Sequence, residues 1–298
     1  MNISVVIPNY NGAGIIEKCL DSVTGFFEVI VVDDGSADDS VSLIKSRYPD
    51  VKLIENGVNK GFSHSVNRGI RAAEGDFVFL LNTDVILPPN VTDNMLPLFE
   101  DSDVFAVSPR IILPKKGDID EGCKWGKWHN GVFYTDQRQN VTEVTPILYA
   151  TGCAALYRKS MLDALGGFDE VYSPFYWEDA DLGYRAWKRG YKSLYTPHSF
   201  VTHEHGATTS KANSGYKNTI TARNMIYFIR RNISDKDILK VHKRMLPLVL
   251  LKKLLTGDRA FVKGVRKALK SANALPVGED TRKLSDRKIF EICGITLP

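Results

Sequence analysis

The first third of the chain repeats one pattern: a short, nearly continuous apolar run, a polar or acidic turn, then a stretch with helical spacing. Ile3-Ser4-Val5-Val6-Ile7 leads into Asn9-Tyr10-Asn11-Gly12, and Glu28-Val29-Ile30-Val31-Val32 stops at Asp33-Asp34-Gly35-Ser36. Asp76-Phe77-Val78-Phe79-Leu80-Leu81 stops at Asn82-Thr83-Asp84, and Val51–Glu55 supplies a further strand. Residues 15–23, 38–47 and 61–73 read as the intervening helices. Strands and helices alternating at this spacing predict βαβ units and a mostly parallel sheet. Continuous rather than alternating apolar strands predict a sheet covered on both faces. In such sheets ligands bind at the carboxyl ends of the strands, where this chain places its acids.

After residue 110 the rhythm breaks. Residues 115–146 are polar, aromatic and irregular, and predict a surface crossing or a hairpin. Residues 148–157 read as a strand, 159–165 as a short helix, 177–188 as a helix and 192–195 as a strand. From Tyr216 onward the pattern is helical and basic. The expected organisation is a catalytic α/β unit over 1–215 and a helical extension over 216–298.

The net charge of +4 conceals an asymmetry. Residues 211–270 hold 16 Lys and Arg against Asp235, Asp237 and Asp258, a net +13, which leaves the remainder 23 basic and 32 acidic residues, a net −9. An acidic front and a basic tail predict two surfaces with different partners. Cys19, Cys123, Cys153 and Cys293 are widely spaced, which argues against a zinc site or a disulfide framework and fits a reducing compartment. No basic segment or cleavage site precedes the first strand, so no signal peptide is expected. The apolar run Met245–Leu251 contains Pro247 and falls far short of the ~20 residues a membrane span needs.

Three segments carry carboxylates that could meet at one sheet edge: Asp33-Asp34, Asp84, and Glu178-Asp179-x-Asp181. Each has a plainer role, as turn former, N-cap or helix-dipole partner. Gathered together, however, they repel unless cations or donors offset them. His203-Glu204-His205 adds imidazoles suited to a metal site. Other nucleotide and hydrolase signatures are missing. Gly12-Ala13-Gly14 lacks the third glycine of a dinucleotide loop, and neither a P-loop nor a G-x-S-x-G elbow occurs.

Taken in order, the motifs resemble family-2 glycosyltransferases of the GT-A fold, over roughly residues 1–230. The resemblance rests on Val5-Val6-Ile7-Pro8-Asn9-Tyr10-Asn11, Val31-Val32-Asp33-Asp34-Gly35-Ser36, Asn59-Lys60-Gly61, Asn67-x-Gly69, Leu80-Leu81-Asn82-Thr83-Asp84, Thr151-Gly152, Gly166-Gly167-Phe168-Asp169 and Trp177-Glu178-Asp179-x-Asp181. It implies a GT-A-type sheet and a nucleotide pocket lined by Pro8, Tyr10 and Asp34. Asp34 would lie near the base and Asp33 near the base or the ribose, with Asn11, Asn59, Gly61 and Asn67 also on the donor side. Asn82-Thr83-Asp84 occupies the D-x-D position. Asp84 would bind Mg2+ or Mn2+ with His203, His205 being the weaker choice. Asp179, beside Glu178, matches the catalytic base, while Thr151, Gly152, Trp177 and Asp181 would shape the acceptor side. Asn82 departs from the pattern, leaving one carboxylate where two are usual.

The resemblance therefore implies inverting transfer from a UDP- or dTDP-sugar to a saccharide or lipid-linked saccharide, in cell-surface polysaccharide assembly. A nucleotidyltransferase and a non-catalytic sugar-nucleotide scaffold are the alternatives. The first lacks a basic glycine-rich phosphate loop, and the second has no need of the Glu178-Asp179 pair. The basic tail reads equally as a surface for an anionic membrane and as a helical extension packed on the catalytic unit or forming a homodimer. Nucleic acid is not expected, since no binding motif occurs and the catalytic part is acidic. The expected location is cytoplasmic, peripheral at the inner face of the membrane.

Overall fold

The structure is a computed structural model, and it describes residues 1–204, 213–271 and 283–297. In chain order the elements begin β1 (Ile3–Asn9), α1 (Ile16–Ser22), β2 (Glu28–Asp33), α2 (Ser40–Arg47), β3 (Lys52–Glu55), α3 (Phe62–Ala72), β4 (Phe77–Leu81) and β5 (Val85–Ile86). They continue with β6 (Val104–Leu113), β7 (Ile119–Asp120), β8 (Lys124–His129), β9 (Val132–Gln137), β10 (Thr145–Pro146), β11 (Ala154–Arg158), α4 (Lys159–Leu165), α5 (Glu178–Lys188) and β12 (Lys192–His203). Four helices follow: α6 (Ser214–Asn232), α7 (Lys236–Leu255), α8 (Arg259–Lys270) and α9 (Asp286–Ile292).

The main sheet runs β10-β12-β6-β11-β4-β1-β2-β3, with β5 against β12 and β7 against β6. β3, β2, β1 and β4 are mutually parallel, and β6 is parallel to β12. β11 runs antiparallel to both β4 and β6, so these two blocks share one direction and β11 alone among the long central strands opposes it. The carboxyl ends of β1, β2, β4, β6 and β12 therefore lie on one edge. The start of β11 lies there too, and Thr151-Gly152-Cys153 lead into it.

Both faces of the sheet are buried, as the continuous apolar strands predict. Ile3, Val5 and Ile7 join Val31, Phe77, Phe79 and Leu81 beneath α1 and α2. Val6, Ile30, Val32, Val78 and Leu80 pack with Val66 and Ile70 of α3. Gly69 lets α3 sit close on the sheet: a Cβ there would meet Val6 Cγ1 at 2.3 Å.

The irregular region contains the hairpin β8–β9, which pairs Lys124–His129 with Val132–Gln137. Its inner face joins a third core with α5 and the C-terminal helices. Phe133 stacks near Phe228 at 5.0 Å and Phe290 at 5.8 Å between ring centroids. The helices after residue 215 thus share a core with the hairpin and α5.

Two strands differ from their expected bounds. The strand expected at 148–157 begins only at Ala154, after a buried loop. The strand expected at 192–195 continues to His203, with register shifts at Lys192/Ser193 and across Thr196–Phe200. Pro197 lies in that shift, where a ladder N–H is not required. It interrupts the sequence signal but not the strand.

Candidate functional site

β4 ends in a turn that its neighbours hold firmly. The Asn82 N–H donates to the Cys153 carbonyl at 2.8 Å, and the Val85 N–H donates to the Asn82 carbonyl at 3.2 Å. β5 then pairs with β12, setting Val85 opposite His203, and the Glu204 N–H donates to the Asp84 carbonyl at 2.9 Å. These pairings bring Asp84 Oδ1 within 3.1 Å of His203 Nε2. The extension of β12 is what delivers the histidine.

The other face of His203 is also engaged. Nδ1 lies 3.4 Å from Cys153 Sγ and 3.8 Å from Glu121 Oε2. Burial opposes a charge on this imidazole, but Cys153, Asp84 and Glu121 outweigh it, and its pKa is pushed up to about 12. Burial also raises the Cys153 thiol, against the pull of His203. Asp84 and Glu121 are the two carboxylates that face the imidazole.

Among the described residues, no group of three or more His, Cys, Asp or Glu is arranged to hold a metal by itself. Asp84 and His203 nevertheless offer one oxygen and one nitrogen to a common point. Mg2+ is commonly held by one or two carboxylates with substrate phosphates completing its shell. Binding there requires His203 to give up its Nε2 proton, because only the neutral imidazole has a lone pair for a metal. The residues present fit a divalent cation shared with a diphosphate. His205 lies outside the described residues.

The second group stands at the N-terminus of α5. Tyr176 and Trp177 hold left-handed backbone angles, φ 72° and 81°. Non-glycine residues in that region carry strain of ~1–3 kcal/mol each, found where a site requires a particular geometry. Asn224 of α6 fastens this segment, its Nδ2 donating to the carbonyls of Tyr172 at 2.7 Å, Phe175 at 3.1 Å and Tyr176 at 2.8 Å. Arg223 donates to Tyr172 and Ser173.

Asp179 Oδ1 accepts from the Ala180 N–H at 2.8 Å, and Oδ2 faces the Gly152 N–H at 3.4 Å. Glu178 is buried, and its Oε2 has no hydrogen-bond partner. Burial first, then the Asp179 charge, pushes the Glu178 carboxyl up to about 8. Burial raises Asp179 as well, against the pull of the Ala180 N–H and Lys124. With its pKa lifted to about 8, Glu178 keeps its proton at neutral pH. Thr151-Gly152-Cys153 thus touches Asp179 at one end and His203 at the other.

Around β1 and β2 the acids play different parts. Asp33 is 3% exposed and accepts from Asn9 Nδ2, the Gly35 and Ser36 N–H groups and Ser36 Oγ. These bonds shape the turn after β2. Asp34 accepts from Asn56 Nδ2 and from the Lys60 and Gly61 N–H groups at 2.8–2.9 Å. It holds the Asn59-Lys60-Gly61 loop beside Pro8, Tyr10 and Asn11. The Asn11 side chain caps the turn from across the cleft, accepting from the Ala37 N–H at 2.8 Å.

Two further residues make bonds within the protein. Asn67 exchanges hydrogen bonds with the main chain of Phe168, at 2.8 and 2.9 Å, so its amide anchors a loop. Asp181, 1% exposed, accepts from Tyr172 Oη, Asn232 Nδ2 and Arg185 Nε. Two residues along a helix turn a side chain by about 200°, which points Asp181 into the protein and away from any acceptor. Trp177 is 7% exposed and packs on Phe133 and Phe228, bounding the site from within the core. Thr151 is nearly as buried. Glu121 and Asn224 are functional candidates that sequence reasoning missed: one sits in the irregular segment, the other in the middle of a helix.

Comparison with known proteins agrees with this arrangement. Residues 4–166 match the family described as Glycosyl transferase family 2. The chain is 30% identical over 209 residues to a pre-mycofactocin glycosyltransferase of Mycobacterium tuberculosis, covering 68% of this chain and 43% of that protein. It spans less than half the length of that relative. It is also 30% identical over 241 residues to the N-acetylglucosaminyl-diphospho-decaprenol L-rhamnosyltransferase of the same organism, covering 70% of this chain and 78% of that protein. The crystal structure of GalNAc-T7 with UDP, GalNAc and Mn2+ superposes with a TM-score of 0.63 at 18% identity, covering 93% of this chain and 58% of that one. The fold is the GT-A-type α/β fold. The chain belongs to glycosyl transferase family 2.

Proposed function

We propose that this enzyme transfers a sugar, with inversion, from a UDP- or dTDP-sugar to a hydroxyl of a saccharide or lipid-linked saccharide in cell-surface polysaccharide assembly. The observation that carries the reading is the Thr151-Gly152-Cys153 bridge, which sets a raised-pKa carboxylate, Asp179, beside the Asp84–His203 pair. Transfer from a nucleoside diphosphate needs both: charge grows on the leaving diphosphate while a hydroxyl loses a proton.

The nucleoside would lie in the cleft formed by Pro8, Tyr10, Asn11, Asp34 and the Asn59–Gly61 loop. Asp84 and His203 would hold Mg2+ or Mn2+, which supplies charge neutralisation for the diphosphate when bound. Glu121 orients His203 from behind. Asp179 accepts the acceptor's proton, and protonated Glu178 keeps a second anion from competing with it. One base and direct displacement give inversion, by the logic that separates inverting from retaining glycosidases. The rhamnosyltransferase relative is named for a lipid-linked acceptor, which favours a deoxyhexose or hexose donor and a lipid-linked acceptor here. A cytoplasmic enzyme, peripheral at the inner face of the membrane, would meet such an acceptor. Family membership favours this reading over a nucleotidyltransferase, and the Glu178–Asp179 pair favours it over a non-catalytic scaffold.

A thermal-shift panel of sugar nucleotides with Mn2+, followed by transfer assays on the best donor, tests the reading. Stabilisation by one nucleotide class and loss of transfer in EDTA are expected. Full activity after exhaustive chelation contradicts the cation at Asp84 and His203.

A further inference from the structure

Away from the site, α7 and α8 present a surface that the transfer chemistry does not use. On α7, Ile238, His242 and Leu246 are buried, whereas the opposite face exposes Leu248 (57%), Leu251 (55%), Leu254 (48%) and Leu255 (80%). These four leucines fall within about 120° of arc at 100° per residue. Exposed Arg244 and Lys240 lie about one and two turns earlier on the same stripe. α8 is amphipathic in the complementary sense. Phe261, Gly264, Val265 and Ala268 are buried, and a Cβ on Gly264 would meet the Thr219 carbonyl of α6 at 2.3 Å. On the outer side Arg259, Lys263, Arg266, Lys267 and Lys270 share about 100° of arc. Residues 259–270 contain no acid. Leu254, Val262 and these five cations line a cavity of about 480 Å3 that joins the apolar stripe to the basic one.

Clustered exposed leucines beside a concentrated basic face are the pattern of helices that lie in a bilayer interface. Among the described residues no helix is long and apolar enough to cross a membrane, so the surface points to a lateral contact. A second copy is a poor occupant, because two such faces would bring like charges together. We propose that the α7–α8 face docks on an anionic phospholipid bilayer, with the leucines in the acyl boundary and the α8 cations on lipid phosphates. The proposal extends the lipid-linked acceptor reading by supplying the surface where such an acceptor resides.

Co-sedimentation of the full chain with phosphatidylcholine vesicles, with and without phosphatidylglycerol, tests it in the absence of any sugar nucleotide. Binding to the anionic vesicles only, weakening with salt, is expected. The triple variant Lys263→Glu, Arg266→Glu, Lys267→Glu, with unchanged far-ultraviolet circular dichroism, should lose partitioning on the order of a hundredfold, at ~1 kcal/mol per cation. The variant Leu251→Ser, Leu255→Ser should bind at low salt yet release at a lower salt concentration than the parent. Absence of binding to anionic vesicles at low salt overturns the proposal. Undiminished binding by the charge variant also overturns it. So does a concentration-dependent dimer in sedimentation velocity that the leucine variant abolishes. Because no chemistry is read, a chain that binds vesicles but transfers no sugar contradicts the transfer reading and leaves this one standing.

Discussion

Asp84 alone is an ordinary strand-end acid; its meaning comes from His203, Glu121 and the Cys153 loop. Asp84→Ala and His203→Ala should each abolish Mn2+-dependent stabilisation by the donor, read by thermal shift. Glu121 acts through His203, so Glu121→Gln should weaken cation affinity about 10–100-fold, the usual cost of losing an orienting partner. Glu178 makes a separate prediction. Its folded pKa of about 8 stands above the ordinary 4.5, so the fold favours its protonated form. That contribution to stability is complete below pH 4.5 and is lost as the pH rises through about 8. Glu178→Gln removes the titration and keeps the hydrogen-bonding shape. Its Tm should therefore match wild type in acid and exceed it above pH 8, by roughly 2–4 °C for each kcal/mol relieved. Whereas His203 stands out only as a histidine beyond the strand expected at 192–195, Asp84, Glu178 and Asp179 are legible in the sequence because each sits in a short motif at a predicted element end. Glu121 is not, because it lies in an irregular segment and meets His203 only through the folded sheet. Asp33 and Asp181 show the converse: acids inside motifs that turn inward, Asp33 to tie the turn after β2 and Asp181 to bind the side chains of Tyr172, Arg185 and Asn232.

Among the elements, β12 and α6 decide the site, and neither is fully readable. Pro197 breaks the alternation of β12, although the strand resumes to place His203 opposite Val85. α6 reads simply as a basic helix, yet Asn224 holds three carbonyls 48–52 residues away. It keeps the left-handed Tyr176–Trp177 turn in place and so aims the start of α5. Asn224→Ala removes the donor that the Phe175 and Tyr176 carbonyls share, while Arg223 still reaches Tyr172, and should cost about 1–3 kcal/mol. The fall in kcat should exceed any change in donor affinity, because the donor cleft around β1 and β2 is untouched. A variant that loses only stability, with kcat intact, contradicts this positioning role. By contrast, the sheet itself is almost entirely legible, since burial on both faces leaves continuous apolar runs that little else produces.

For the whole molecule, composition divides the chain near residue 215, but packing joins it. Lys188 of α5 pairs with buried Asp286 of α9 at 2.5 Å, and Tyr184 donates to the same carboxylate. Phe228 and Phe290 complete the core that Phe133 and Trp128 begin. We therefore propose that the helical region is integral to the catalytic unit. Truncation after residue 215 should yield insoluble or molten protein. Asp286→Ala, which takes the carboxylate from a buried lysine, should cost about 3–5 kcal/mol in denaturant unfolding. A soluble, cooperatively folded 1–215 fragment would show the basic region to be a separable appendage. The central claim concerns catalysis: Asp179, lifted above the ordinary carboxylate range by burial, takes the acceptor's proton. The most direct measurement is the transfer rate of Asp179→Asn with the natural donor and acceptor, alongside its donor binding. The account predicts unchanged folding and donor affinity with a rate lower by about 10²–10⁴-fold; near-wild-type turnover by the folded variant would contradict it.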